Sequence, residues 1–225
     1  MPCALLTRLL SPSKMENMDP PEHRDRRLPH EVKVSRLEAL VDAVFAFAMT
    51  LLVLNLVIAR GLSAEALDTT IRSLTGDILI YFLSFLILGN FWTIINWQST
   101  HIERSDTVHL WTIIFMLMFV ALVPFSTFLL AEYISTTTAN IFFATDFTMI
   151  SLFLAANWFY ATNEHRLVAA NLGHIAIKRG RMRSLALMGV GPVVLVVSLF
   201  APRWSAFIYL AIPLLFAMPQ LRQEH

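Results

Sequence analysis

Two acids interrupt apolar runs of this 225-residue chain: Asp42, followed by AVFAFAMTLLVLNLVI, and Asp146, within FFATDFTMI. An ionisable group in such a run is either a hydrogen-bonded structural residue or part of an ion or proton path. Two histidines, His101 and His109, lie in or beside one short loop; they read as a metal pair or as ordinary solvated side chains. The basic run Lys178, Arg179, Arg181, Arg183 lacks the three-residue repeat of a voltage sensor and reads as an anchor to anionic head groups. The sole cysteine, Cys3, allows neither a disulfide framework nor a thiolate cluster. No HExxH, glycine-rich phosphate loop or GxSxG occurs, and the chain holds only seven glycines. No catalytic residue, cofactor or metal site is expected.

The elements that carry these residues follow from composition. Hydrophobic residues make up 56% of the chain and charged ones 15%, with a mean hydropathy of +0.62. Soluble domains carry about 25% charged residues, so a soluble enzyme is set aside in favour of one all-α integral membrane domain. Residues 1–35 mix both charge signs with prolines and read as a disordered cytoplasmic tail, in which Met15 or Met18 is an alternative start. Residues 36–225 form the membrane domain, with six apolar stretches at about 37–59, 77–98, 108–131, 139–161, 184–201 and 204–221. Each is close to the ~20 residues that cross a bilayer. Pro124, Pro192 and Pro213 fall inside three of them, which membrane helices tolerate. Of the 17 Lys and Arg, only Arg60, Arg72 and Arg203 fall on the far side of this topology. The positive-inside rule therefore puts both termini in the cytoplasm, as an even number of helices requires.

The first helix is the informative one. At 100° per residue Phe47, Leu51, Leu54 and Ile58 share a stripe, with Ala43 and Thr50 on its border. Such a stripe is either packing surface or the lining of a path. Asp42 lies nearly opposite, so it is expected to point into the helix bundle and meet a donor there. Arg36 is about 120° away around the helix, which leaves Trp92, Asn96 or a backbone amide as the better partners. No TVGYG-type filter is present, so any ion path must be lined by a helix.

At these residues the chain resembles the transmembrane protein 175 family, the lysosomal-type potassium channels and their single-repeat bacterial relatives. The family's mark is Arg-x-x-x-Phe-Ser-Asp ahead of an apolar run with Thr-Leu-Leu. Arg36 and Asp42 match it, as do Val44-Phe45-Ala46 and Thr50-Leu51-Leu52-Val53-Leu54. FLSFLILGNFW (82–92) and FVALVPFSTFLLAEY (119–133) resemble the second and third helices. Leu40 and Val41 replace the motif's Phe and Ser, and Ile95 and Asn96 stand where histidines are usual. The resemblance implies a homotetramer in the cell membrane, its pore lined by the first helix. It implies a constriction of Phe47, Leu51 and Leu54, a potassium-selecting layer at Thr50, and potassium as the permeant ion. Arg36 and Asp42 would then be structural.

Three functions compete. One is a potassium-permeable channel. Another is a proton- or ion-coupled secondary transporter using Asp42 or Asp146. The third is a non-conducting membrane scaffold. The expected partners are lipid and further copies of the chain, with no nucleic acid.

Overall fold

The computed structural model describes residues 34–58, 61–200 and Ile208. The tail and the sixth apolar stretch, with Trp204 and Pro213, lie outside the described residues. What is described is all-helical. Helix α1 spans Val34–Leu51 and tightens into a 3-10 turn over Leu52–Asn55; α2 spans Ala64–Ser73, α3 Thr75–Ser99, α4 Thr107–Glu132, α5 Thr137–Thr162 and α6 His174–Phe200. All but α2 are long and apolar enough to cross a membrane.

The helices pack in series, α4 on α5 and α5 on α6, with α1 laid against α3 and α4. α5 is the centre, burying Phe143, Phe147, Ile150, Leu154 and Trp158. α6 closes on it through small residues. A Cβ at Gly180 would run into the Trp158 ring, and one at Gly191 into the Thr148 hydroxyl. Such positions let helix backbones approach closely where lipid supplies no hydrophobic drive. The polar groups buried in this packing are largely paired. Asn157 Nδ2 donates to Gln98 Oε1 at 2.9 Å, and Gln98 Nε2 lies 3.3 Å from both the Leu154 carbonyl and Ser184 Oγ.

Several sequence expectations change here. The expected 60–76 loop holds α2, whose N-cap Ser63 accepts from Ala66 N and whose Arg72 pairs with Asp68 one turn earlier. The basic run expected in a loop is helical, because α6 starts at His174, ten residues before the expected 184. Its cations are accommodated at the end of α5: Arg181 donates to Thr162 Oγ1 and lies over the Phe159 ring. α1 stops short of the expected residue 59, at a turn where its Asn55 side chain leaves the helix pattern and bonds to α4.

The loops after α3 and α5 meet at one end of the bundle, where Ile102 bridges Val168 and Glu103 N donates to the Leu167 carbonyl. Asp106 caps α4 there. Its carboxylate accepts from His109 N at 2.9 Å and from the Tyr160 hydroxyl, with Arg166 at 3.6 Å. Partial burial opposes ionisation, but those hydrogen bonds, the nearby Arg166 and the His109 ring outweigh it, and Asp106 is held below its ordinary range. His109, for which solvent exposure was the plain expectation, is buried with Nδ1 2.9 Å from Ser105 Oγ. The cap fixes His109 N in the first turn of α4, and Ser105 one turn earlier gives the buried ring its polar partner. Among the described residues no group of three or more His, Cys, Asp or Glu could hold a metal.

Candidate functional site: the outward face of the first helix

α1 has one packed face and one free one. Leu37, Val41, Phe45, Ala48 and Leu52 recur at three- and four-residue steps and enter the core against α3 and α4. The opposite arc is largely open among the described residues. Phe47 is 65% exposed and Leu54 66%; Thr50 is exposed and Leu51 half-buried. Among the described residues the stripe found by helical arithmetic is therefore mostly left uncovered, with Leu51 at its edge. Ile58 leaves it, since residues 56–58 are not helical.

Two local features shape the arc. The Thr50 hydroxyl donates to the Phe47 carbonyl at 2.8 Å. Its single proton is thereby committed to the helix, and its oxygen presents only lone pairs outward, the polarity a cation requires. The 3-10 turn also moves the side chains. At about three residues per turn, positions i and i+3 eclipse, so Leu54 stacks over Leu51 while Val53 lies about 120° away. The turn is held by Asn55, whose Nδ2 donates to the Pro124 carbonyl of α4 at 3.0 Å. α4 itself runs unbroken through Pro124.

Asp42 does not point into the bundle. It is exposed, about 100° around α1 from the buried Val41. That places it at the seam with α3, where Trp92 Nε1 donates to Asp42 Oδ1 at 2.8 Å. Asn96, one turn further along α3, is exposed and makes no hydrogen bond to Asp42. Among the described residues Arg36, also exposed, forms no ion pair with it. The correction has a simple cause: the core face of α1 is centred near Val41 and Phe45, and Asp42 falls just outside its edge. Asp146, by contrast, is buried in α5, with Oδ2 2.7 Å from Ser126 Oγ of α4.

Sequence reasoning missed the Asn55–Pro124 tie and the Gln98–Asn157 pair. The signal for the first was present, a lone amide inside LLVLNLVI. Its partner was not, because 69 residues separate them.

Comparison with known proteins agrees with this architecture. The model of the endosomal/lysosomal potassium channel TMEM175 family matches residues 36–124. A potassium channel of Chamaesiphon minutus is 31% identical over 146 residues, 63% of this chain and 72% of that protein. A potassium channel of Streptomyces collinus is 28% identical over 152 residues, 66% of this chain and 74% of that one. Among solved structures, a lysosomal potassium-selective channel TMEM175 homolog from Chamaesiphon minutus superposes with TM-score 0.74 at 24% identity, covering 83% of this chain and 97% of the other. A threonine-to-alanine variant of the potassium channel MtTMEM175, in complex with a nanobody fusion, gives 0.60 at 17%, covering 84% and 94%. These two similarities concern the fold.

Proposed function

The chain belongs to the TMEM175 family of potassium channels, and from that premise we propose that four copies surround a potassium-permeable pore lined by α1. The observation that carries this reading is the exposed arc of Phe47, Thr50 and Leu54, with Leu51 half-buried beside it, on a helix whose other face is buried against α3 and α4. One subunit offers one such helix and cannot enclose a path alone. Four copies of Phe47, Leu51 and Leu54 make a dry apolar neck that closes by dewetting. Four Thr50 hydroxyls, their protons turned back to Phe47, make a ring of oxygen lone pairs that replaces part of a potassium ion's hydration shell.

Arg36 and Asp42 are structural in this scheme, with Asp42 joining α1 to α3 through Trp92. Both termini lie in the cytoplasm, the protein sits in the cell membrane, and it works as a channel with neither enzymatic activity nor a bound cofactor. A carrier mechanism favours discontinuous helices at its substrate site. α4 and α6 continue through Pro124 and Pro192, which favours the channel over the transporter.

Potassium flux into liposomes tests the assignment. Leu54→Ser and Phe47→Ala widen and wet the neck, raise flux and weaken discrimination against sodium. Val53→Ser, about 120° around the turn, leaves flux near wild type. Equal effects at Leu54 and Val53 would sink the pore assignment.

A further inference from the structure

The carboxyl of Asp146 is placed where a charge has no support. Asp146 is 3% exposed, and nine residues, about 14 Å of helix rise, separate it from the start of α5. Among the described residues its Oδ1 has no hydrogen-bond partner. Oδ2 has one, Ser126 Oγ at 2.7 Å, and that same Oγ lies 3.0 Å from the Val123 carbonyl. Ser126 is itself fully buried.

Counting protons separates the two forms of the acid. A serine hydroxyl carries one proton, and a carbonyl carries none to donate. If Asp146 is ionised, Ser126 faces two acceptors with one proton, so one of these short contacts is oxygen against oxygen without hydrogen. The charge is then left with a bare Oδ1 and no cation. If Asp146 is protonated at Oδ2, it donates to Ser126 Oγ, and Ser126 donates to the Val123 carbonyl. Every short contact then holds a proton. Oδ1 becomes a neutral carbonyl oxygen, far cheaper to bury than an anion.

Among the described residues no charged group nearby alters the count. On α5 the only other titratable residue is Tyr160, at the far end. On α4, Glu132 is exposed and about 9 Å of rise beyond Ser126, and His109 is in the first turn. α3 contributes Asp77, in its first turn, and Tyr81, three residues before the Ser84 that bonds Thr127 of α4. On α6, His174, Lys178, Arg179, Arg181 and Arg183 precede Gly191, the residue that meets Thr148 beside Asp146, by about 12 Å or more.

We propose that Asp146 and Ser126 form a proton-binding site inside the membrane domain, and that losing the proton unseats the α1 turn that carries Leu54. The route is short. Ser126 is two residues beyond Pro124, and the Pro124 carbonyl holds Asn55, the neighbour of Leu54. An ionised Asp146 must draw in water or part α4 from α5, and either change shifts the segment of α4 on which the turn rests. The second half of this proposal rests on the channel reading.

Infrared spectra and potassium flux on the same liposomes test both halves. At neutral pH the wild type shows a carboxylic-acid C=O band that is lost in Asp146→Asn and displaced in Ser126→Ala. As pH is raised the band disappears, and wild-type flux changes in step with it, while Asp146→Asn, which mimics the neutral acid, loses this pH dependence. Carboxylate bands at neutral pH that Asp146→Asn removes, or an acid band unmoved in Ser126→Ala, overturn the proton site. The same flux profile in wild type and Asp146→Asn overturns the link to α1. An acid band of the expected kind with no flux at any pH overturns the channel reading and leaves the proton site standing.

Discussion

Asn55→Ala removes one hydrogen bond, from the Asn55 amide to the Pro124 carbonyl, and leaves the apolar arc of α1 untouched. The residue is half-buried and both groups are neutral, so the bond contributes about 0.5–1.5 kcal/mol. In a symmetric channel that opens as a unit the loss occurs four times, roughly 2–6 kcal/mol in all if the four bonds break together. Since 1.4 kcal/mol is about tenfold, the balance between a seated and an unseated Leu54 turn shifts by more than tenfold. The expected outcome is higher potassium flux into liposomes and poorer discrimination against sodium. The thermal midpoint of each subunit, by contrast, reflects only the single-bond loss. Asn55→Asp should be worse than Asn55→Ala, because it sets a second acceptor against the Pro124 carbonyl. A clean fall in thermal stability with flux and ion preference at wild-type levels would refute the idea that this bond seats the neck.

The remaining predictions are simpler. Trp92→Phe keeps an aromatic ring, though a smaller one, and removes the N–H that reaches Asp42; a bond to a charged acceptor contributes about 1.5–3 kcal/mol when desolvated, and the seam is partly exposed, so the loss of the bond should lie at or below the low end and appear as a less stable tetramer by native mass measurement. Asp42→Ala should give the same phenotype, with ion preference unchanged in whatever tetramer remains. Gly191→Ala drives a methyl into the Thr148 hydroxyl at the α5–α6 contact, and overpacking of this kind costs about 1–3 kcal/mol, seen as a lower melting midpoint in detergent. Asp106 binds its proton less readily in the fold than in the unfolded chain, so its stabilising contribution is present above the ordinary Asp range and is lost as pH falls through the lowered folded value. Acid melts of Asp106→Asn should therefore lack part of the wild-type loss of stability.

The spans were legible because a lipid-embedded helix must be apolar for about 20 residues whatever its neighbours are, and α3, α4 and α5 begin and end within a few residues of the expected bounds. The stripe Phe47–Leu51–Leu54 was legible for a related reason: the positions that share a helix face are a property of the chain alone. What the chain alone does not determine is which face a neighbour covers. Asp42 sits one residue from the core position Val41 and falls outside the bundle because α3 and α4 cover the face centred near Val41 and Phe45, which leaves Trp92 of α3 to reach it at the seam. The end of α1 was decided by α4, since the Pro124 carbonyl that takes Asn55 comes from 69 residues away. The helical start of the basic run depends on Thr162 and Phe159 of α5 to receive Arg181. Asp146 is the sharpest case. Its sequence shows only an acid among apolar residues, whereas its one partner and its one bare oxygen among the described residues exist because α4 delivers a single hydroxyl to a buried contact. Periodicity and hydropathy are local and survive in the unfolded chain; partners, burial and the count of protons between them arise only when distant segments meet.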